Sequence, residues 1–492
     1  MKDFEKITSK VTLLPGEKLV SIESHDPRSF DNVPSSLEQI LRLTKSKSPE
    51  AIGEHGPSIA SLALDLSSEG DSQTPDHLKL YEVVFGRDSL RVAIDLISSY
   101  PKLARATTYK LAELQGTTQN REREEEPGRI VHEARDQDDV IAKKLSQELG
   151  WGWPYYGSVD STPEFIRTLS AYCRLTEENN AFLSAEYTNK DGETHSMAYA
   201  MDMAVDWITT RIDKSPSGML EFKSVLPKGI ENQVWKDSWD AYHHADGSLA
   251  NHKQGIASVE VQTTTYDALM DAANLYEHVL DNRLKADQLR KKADDLKSTI
   301  LSKLWTDERG GYFVLGTDYD DDGNLRQMKI KTSNMGHVLN SRLLEDGTPE
   351  NDKKIQATVS QIISPEMLAT SGIRTLASDE KRFRPGAYHN GSIWLWDTHH
   401  IAKGLRRQGF TDIADNLDSR VLNVVDSTKM FPEYVRGDNS VLPSVNTETI
   451  VLWDDNFKRE NKLEQPPQEV QAWTVAAIEA IKQRLKRRQK QS

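Results

Sequence analysis

The sequence consists mainly of a long series of helix-forming segments, separated by loops that are rich in glycine, proline and tryptophan. Hydrophobic residues recur at helical spacing in segments such as 197–212, 263–282 and 284–305. Strand-like alternation is confined to short pieces such as 310–320 and 328–332. The pattern predicts an all-α protein of roughly a dozen helices, well above the usual helical share of about one third.

One helix start has a particularly sharp signal. Residues 161–164, which read STPE, combine a serine, a proline in the first turn and a glutamate three residues after the serine. Apolar residues then follow in helical register from Phe165. We therefore predict a helix that is capped at its N-terminus by Ser161.

The arrangement of the helices is constrained by chain length and by the lack of a repeat. No consensus recurs with the period of about 34 to 45 residues that helical solenoids show. A chain of 492 residues usually forms two domains, but helical hairpins closed into a ring can share one core. The first 80 residues hold too little apolar sequence for a core of their own. We predict an N-terminal arm over residues 1–80 and a single helical domain over residues 81–492.

Composition excludes several classes of partner. The formal net charge of −14 disfavours binding to a nucleic-acid backbone. No stretch approaches the roughly 18 apolar residues of a membrane span, and charged residues lie where a secretory signal would need its apolar run. The single cysteine, Cys173, fits a reducing compartment. We expect a cytoplasmic protein without nucleic-acid or membrane partners, and the oligomeric state stays open.

Acids, arginines and aromatic residues are concentrated in segments that flank the predicted helices. Carboxylates, arginines and amides can satisfy sugar hydroxyl groups, while tryptophan and tyrosine rings cover the apolar face of a pyranose. A scaffold could gather such loops at one end of the molecule. The segments are GRDS (86–89), EEPGRIVHEAR (125–135), YYGSVDSTP (155–163), NQVWKDSWD (232–240), VEVQ (259–262), SGIRTL (371–376), YHNGSIWLWD (388–397) and FPE (431–433).

In this order, the segments resemble the amylo-α-1,6-glucosidase domain of glycogen-debranching enzymes, a member of the six-hairpin glycosidases. The resemblance extends from about residue 81 to about residue 473. It implies an (α/α)6 barrel, an oligosaccharide or small glucoside as substrate, and no cofactor. The fold that it implies agrees with the helical pattern described above.

The resemblance also implies inverting hydrolysis of an α-glucosidic bond, with an α-1,6 linkage as the main expectation. Such a reaction needs a carboxylic acid on the leaving-group oxygen and a carboxylate base that activates water on the opposite face, about 6.5–9.5 Å apart. The family's W-x-D pattern makes Asp237 the general acid, and its Pro-Glu pattern makes Glu433 the general base. Asp240 is a competing candidate for the acid, because it lies only three residues from Asp237.

The other candidate site residues are expected to bind the substrate, with no metal involved. Each also has a structural interpretation: Arg87 and Asp88 could form a helix-end ion pair, and Asp160 could belong to a helix cap. Of Trp394 and Trp396, one could lie in the core and the other under a sugar. The candidates are Arg87, Asp88, Glu133, Arg135, Tyr156, Asp160, Trp235, Asp240, Glu260, Gln262, Arg374, His389, Asn390, Trp394 and Trp396.

Three alternative functions remain open. The first is hydrolysis of a small α-glucoside or α-mannoside, such as a glycosylglycerate, by another six-hairpin family. The second is sugar epimerisation on the same barrel, which would use histidine pairs such as 243–244 and 399–400 for proton transfer. The third is glucan binding without catalysis.

Overall fold

The computed structural model describes residues 33–62, 81–176, 179–439, 450–453, 460–463 and 470–491. Much of the predicted N-terminal arm, residues 1–32 and 63–80, lies outside the described residues. The proposed boundary at residue 80 therefore stays a prediction.

Helices make up most of the regular structure. The described residues form thirteen α-helices: α1 (Ser36–Leu43), α2 (Gly86–Leu96), α3 (Pro101–Glu113), α4 (Val140–Leu149), α5 (Ser161–Leu175), α6 (Met197–Lys214), α7 (Val259–His278), α8 (Arg283–Lys303), α9 (Asn334–His337), α10 (Pro349–Ile362), α11 (Leu395–Arg407), α12 (Thr411–Thr428) and α13 (Ala472–Gln491). The prediction of an all-α protein is confirmed.

The strands are short and serve mainly to pair neighbouring loops. In chain order they are β1 (Ser61–Leu62), β2 (Val84–Phe85), β3 (Glu133–Ala134), β4 (Glu186–Thr188), β5 (Thr194–Ser196), β6 (Ala257–Ser258), β7 (Trp305–Thr306), β8 (Tyr312–Phe313), β9 (Gly316–Tyr319), β10 (Leu325–Gln327), β11 (Leu368–Ala369), β12 (Gly372–Ile373), β13 (Ile393–Trp394), β14 (Tyr434–Val435), β15 (Ile450–Trp453), β16 (Glu460–Leu463) and β17 (Val470–Gln471). All their pairings are antiparallel: β10–β9–β6, β1–β17, β2–β3, β4–β5, β7–β8, β11–β12, β13–β14 and β15–β16.

Six helices form a closed inner ring. Helix α2 contacts α5, and the contacts continue through α7, α9, α11 and α13 back to α2. A second layer surrounds this ring, in which α3, α6, α8, α10 and α12 each pack on an inner helix. Helix α1 packs on α13 in the same way. The fold is therefore the expected (α/α)6 barrel.

Burial patterns distinguish the two layers. On the outer helix α8, the buried residues Leu289, Ala293, Leu296 and Ile300 recur every three or four positions and so form one face. On the inner helix α7, residues on all sides of the helix are buried between Val259 and Tyr276. The outer layer covers apolar side chains of the inner helices that a single ring would leave exposed to water. Burying one such large side chain contributes about 1.5–3 kcal/mol to the free energy of folding.

Two local predictions are corrected by the structure. Helix α5 begins at Ser161, and Asp160 occupies the N-cap position without making a side-chain capping bond. Glu164 does not close a capping box, because its carboxylate lies 3.1 Å from the guanidinium of Arg91. The strand expected at 328–332 lies at Leu325–Gln327 instead, where β10 pairs with β9. The apolar alternation after it reflects burial of Met328 and Ile330 in an extended loop.

Candidate active site

A cavity lies at the end of the barrel where the inner helices begin. Its lining includes Arg87 and Asp88 from the first turn of α2, Trp394 directly before α11 and Trp473 from the first turn of α13. Asp237 and Glu433 reach the same cavity from loops outside the ring. The positive ends of the α2, α11 and α13 dipoles are thus near these carboxylates.

Six of the residues predicted from sequence share this cavity. They are the two proposed catalytic residues, the Arg87–Asp88 pair and two of the tryptophans: Asp237, Glu433, Arg87, Asp88, Trp235 and Trp394. Asp237 and Glu433 are almost two hundred residues apart in sequence, so only the fold brings them together. The geometry therefore offers two carboxylates to one bound ligand.

Asp237 lies beside a buried arginine. Its Oδ2 is 3.4 Å from Nη2 of Arg87, and about 33% of its side chain is exposed to the cavity. Burial, helped by the nearby carboxylate of Asp160, raises the pKa of Asp237 to about 6, although the charge of Arg87 opposes the shift. Asp237 therefore stays protonated to a higher pH than an ordinary aspartate, which is the direction of shift that a general acid needs.

Glu433 is held by a short hydrogen bond and by its neighbours in the chain. The hydroxyl of Tyr388 donates to Oε1 of Glu433 at 2.6 Å. On one side of Glu433, the hydroxyl of Thr474 donates to the carbonyl of Pro432 at 2.8 Å. On the other side, β14 pairs with β13, with Tyr434 opposite Trp394. The carboxylate is therefore fixed relative to the inner helices α11 and α13.

Arg87 links two carboxylates from other segments at the edge of the cavity. Its Nη1 lies 3.3 Å from both oxygens of Asp160, while its Nη2 contacts Asp237. Arg87 is therefore more than a local helix-end charge. The adjacent Asp88 is buried, which raises its pKa to about 7 despite the charge of Arg87. The backbone carbonyl of Asp88 accepts a hydrogen bond from the indole of Trp473 at 3.3 Å.

Four tryptophans pack together beside the carboxylates. Trp235 meets Trp396 edge to face at 4.9 Å between ring centroids, and Trp396 meets Trp473 at 4.8 Å. Trp394 lines the cavity, with its indole N–H donating to the Tyr388 carbonyl at 2.9 Å. Trp396 is not part of the lining, and the Arg91 guanidinium lies 4.6 Å from its ring. Of the two tryptophans at the start of α11, Trp394 is thus the one at the cavity.

Several predicted binding residues form hydrogen bonds that fix the surrounding loops and lie outside the cavity lining. The amide of Gln262 pairs with the backbone N–H and carbonyl of Leu220 at 2.8 and 2.9 Å. Arg374 donates to the carbonyl of Gly437 at 2.6 Å, and Tyr156 donates to the carbonyl of Leu114 at 2.7 Å. Their proposed contact with substrate stays a prediction.

Glu133 and Arg135 form a buried ion pair close to the cavity but outside its lining. Burial raises the pKa of Glu133 to about 7, although Arg135 opposes this shift. The carboxylate of Asp88 also raises the pKa of Glu133, which places the two acids within electrostatic reach of each other. The pair therefore contributes to the electrostatics around Asp88.

The competing acid, Asp240, is almost completely buried and is not part of the cavity lining. Its carbonyl accepts a hydrogen bond from the amide of Asn390 at 3.0 Å. Nδ1 of His389 lies 2.9 Å from the Ser238 hydroxyl, and burial holds the pKa of this histidine well below its usual value. Glu260 accepts hydrogen bonds from Ser258 and Tyr242. Of the two aspartates, Asp237 is the one that lines the cavity, and the role of either as the acid stays a prediction.

The histidine pairs that would serve an epimerase lie elsewhere. His243 is buried, which lowers its pKa to about 3, and His244 lies 3.0 Å from Asp318. Nδ1 of His399 lies 2.9 Å from Asp418, and this histidine does not line the cavity. Among the described residues that line the cavity, His132 is the one histidine.

The lining also includes residues outside the predicted set, among them Tyr81, Phe85, His132, Tyr388 and Gln471. Some of these fall within segments that the sequence singles out, but the segments do not show which residue faces inward. Gln471 reaches the cavity because β17 pairs with β1, which also brings Ser61 into the lining. Trp473, at the end of the resemblance, is a further lining residue of this kind.

The described part of the chain shows neither a metal site nor a membrane span. No group of three or more His, Cys, Asp or Glu side chains within the described residues is arranged to hold a metal ion. No helix among those described is long and apolar enough to cross a membrane.

Comparison with known proteins gives a family match. Residues 147–441 match the profile of the mannosylglycerate hydrolase MGH1-like glycoside hydrolase domain, a range that contains Asp237 and Glu433. This profile is not that of the debranching domain, so the resemblance is supported at the level of the six-hairpin glycosidase superfamily. A comparison with curated proteins finds no significant match.

Solved structures with the same fold include two named glycosidases. A GH63 mannosylglycerate hydrolase from Thermus thermophilus, in complex with glucose, is 12% identical with a TM-score of 0.53, covering 91% of this chain and 98% of that one. A bacterial glucoamylase complexed with acarbose is 14% identical with a TM-score of 0.52. The match covers 91% of this chain but only 53% of the glucoamylase, so this chain spans about half of its length. An uncharacterized conserved protein from Thermus thermophilus is 13% identical over 91% of this chain and 100% of its own, with a TM-score of 0.52.

Proposed function

Because this chain belongs to the mannosylglycerate hydrolase MGH1-like family of glycoside hydrolases, we propose that it is an inverting hydrolase of small α-glycosides. A glycosylglycerate is the first candidate substrate, as the family's name suggests. The observation that carries the proposal is the cavity that Asp237 and Glu433 share with Arg87 and Trp394. Paired carboxylates beside aromatic rings suit a sugar, whose hydroxyl groups and apolar face both need partners.

In the proposed reaction, Asp237 gives its proton to the glycosidic oxygen as the bond between that oxygen and the anomeric carbon breaks. Glu433 takes a proton from a water molecule whose oxygen attacks the anomeric carbon from the opposite face. The product hexose then has the inverted configuration. The hydrogen bond from Tyr388 orients Glu433, and Arg87 stabilises the Asp237 carboxylate once its proton has left.

A second candidate is release of α-1,6-linked glucose from oligosaccharides. It is supported by the order of the GRDS, NQVWKDSWD and FPE segments, which resembles that of the debranching domains. The two candidates use the same acid and base and differ in the leaving group. They are therefore separated by substrate preference and not by loss of catalytic residues.

The experiment compares hexose release from mannosylglycerate, glucosylglycerate, isomaltose, panose and a branched limit dextrin. Wild type, Asp237→Asn and Glu433→Gln are assayed together, with Asp321→Asn as a control because Asp321 is exposed in a distant turn. We expect each active-site variant to lose at least about a thousandfold in kcat, since each removes a group needed in the transition state. The control should keep wild-type activity.

The same assay separates the other functions. Hydrolysis that survives in both variants would contradict the assigned acid and base. An epimerase would interconvert free sugars and would keep that activity in Glu433→Gln. A non-catalytic binding protein would bind the sugars but release no hexose from any of them.

A further inference from the structure

A second cavity adjoins the first and has no role in the proposed chemistry. It offers about 450 Å³, within the range of roughly 300–1,000 Å³ that small-molecule sites occupy. Its lining is formed by Trp151, the loop 227–231 and Trp239, together with Asp237. Asp237 is the one described residue that lines both cavities.

Asp237 fixes which part of a substrate would enter this second cavity. A general acid gives its proton to the oxygen of the leaving group, so the leaving group must extend from the acid's side of the scissile bond. The hexose that is released lies in the first cavity, with Arg87, Trp394 and Glu433. The second cavity is therefore the place for the aglycone. This step rests on the proposed function.

We propose that the second cavity is a sugar subsite, in which Trp151 and Trp239 hold a pyranose ring that forms the leaving group. Both indoles are partly exposed, whereas Trp235 and Trp394 in the neighbouring cavity are almost completely buried. A partly exposed indole beside polar groups is suited to the apolar face of a sugar ring. The subsite would place a glycoside with a sugar aglycone before a glycosylglycerate, and so would reverse the order of the two candidate substrates that the family's name suggests.

The indole of Trp151 is held in place without a ligand. It stacks on Tyr155 with 4.1 Å between ring centroids, and its N–H donates to the carbonyl of Lys228 at 2.9 Å. The hydroxyl of Tyr155 accepts a hydrogen bond from the backbone N–H of Ile230 at 3.0 Å, which fixes the loop 227–231. The wall that carries Trp151 is thus preorganised.

Trp239 is fixed through the residues on each side of it. Asn232 donates to the carbonyl of Ser238 at 2.7 Å, and Asn390 donates to the carbonyl of Asp240 at 3.0 Å. Both flanking peptides are therefore anchored, which fixes the backbone position from which the Trp239 side chain reaches the second cavity.

The charges of the second cavity favour a neutral ligand over a small acid. Besides the general acid Asp237, its lining holds one cation, Lys228, and one acid, Glu231. The Lys228 ammonium already donates to the carbonyl of Glu148 at 2.9 Å. A glycerate carboxylate would therefore meet one cation that is offset by Glu231 and shared with a backbone carbonyl, whereas a pyranose needs only hydrogen bonds and an apolar surface.

The test measures kcat/KM for isomaltose, which has a pyranose leaving group, and for glucosylglycerate, which does not. Wild type is compared with Trp239→Ala, Trp239→Tyr and Lys228→Ala. We expect Trp239→Ala to lose about tenfold or more on isomaltose and to stay within about threefold on glucosylglycerate, because one lost apolar platform costs at least about tenfold. Trp239→Tyr should recover most of the loss, and Lys228→Ala should not lower the value for glucosylglycerate selectively.

Three results would overturn the subsite. The first is unchanged hydrolysis of isomaltose by Trp239→Ala, and the second is an equal loss on both substrates, which indicates a structural role. The third is a selective loss on glucosylglycerate in Lys228→Ala, which would assign the cavity to glycerate. In each of these the proposed function stands, since wild type still hydrolyses a substrate. If wild type hydrolyses no α-glycoside, the proposed function fails and the subsite fails with it.

Discussion

At the scale of single residues, the site is controlled by a balance between burial and one arginine. Burial raises the pKa values of Asp237 and Asp88, while the guanidinium of Arg87 lowers both. Arg87 is itself buried and kept charged by Asp160 and its other acidic neighbours. The protonation state of Asp237 therefore depends on the charge of Arg87, which does not change during the proposed reaction.

This balance predicts a pH dependence. Hydrolysis requires protonated Asp237, so kcat/KM should fall as the pH rises above about 6. Replacing Arg87 by Gln removes the charge that lowers this pKa, and the alkaline limb of the profile should move to higher pH. The measurement is the pH profile of kcat/KM for wild type and Arg87→Gln. An alkaline limb that stays in place or moves to lower pH would argue against Asp237 as the acid.

The hydroxyl of Tyr388 should matter to the rate more than to binding. Tyr388→Phe removes the hydrogen bond to Glu433, and a hydrogen bond to a charged group contributes about 1.5–3 kcal/mol. We expect kcat to fall about 10- to 100-fold with a smaller change in KM. Tyr156→Phe is the matched control, because its hydroxyl donates to the carbonyl of Leu114 outside the cavity. Equal effects of the two variants on kcat would contradict a positioning role for Tyr388.

At the scale of elements, the last helix completes the site. Helix α13 closes the inner ring, and the strand before it pairs with β1, with Ser61 opposite Gln471. Helix α1 packs on the outer side of α13, where the Ser36 hydroxyl donates to Glu479 at 2.5 Å and Lys482 donates to the carbonyl of Pro34 at 2.9 Å. Residues from the predicted arm thus support the helix that carries Trp473.

This packing predicts a stability effect far from the carboxylates. Leu43 in α1 is 2% exposed, and removing such a buried leucine side chain typically costs about 2–5 kcal/mol. Leu43→Ala should lower the free energy of unfolding by about that amount. Leu284→Ala is the control, because Leu284 is 74% exposed and should change stability by no more than about 0.5 kcal/mol. Denaturant unfolding of both variants measures the difference, and equal midpoints would show that α1 does not stabilise the barrel.

At the scale of the whole molecule, the sequence predicts the helices better than it predicts the inward-facing residues. Helical periodicity is local, so α6, α7 and α8 can be recognised from their own residues. The N-cap of α5 differs from the predicted one by a single residue, and the Asp160 side chain at that position is drawn to Arg87, which lies 73 positions away. Contacts between residues so far apart in the chain cannot be predicted from the sequence around one helix start.

The same limit applies to the site. Asp237, Glu433, Arg87 and Asp88 are predicted to belong to one site, and they share one cavity. Polar residues such as Gln262 look equally suited to a sugar, but the structure uses the Gln262 amide for the backbone of Leu220, 42 residues away. Tyr388 lies next to the predicted His389, and only the turn geometry decides that Tyr388 lines the cavity. The residue types indicate the chemistry of the site, whereas the fold decides which of these residues line the cavity.

In the proposed mechanism, Asp237 and Glu433 act as acid and base in an inverting hydrolysis. The most direct measurement follows the first anomer released from an α-glycoside such as glucosylglycerate or isomaltose by NMR, before mutarotation mixes the anomers. We expect β-glucose to appear first, because water attacks from the face opposite the leaving group. Initial release of α-glucose would mean retention of configuration and would contradict the mechanism.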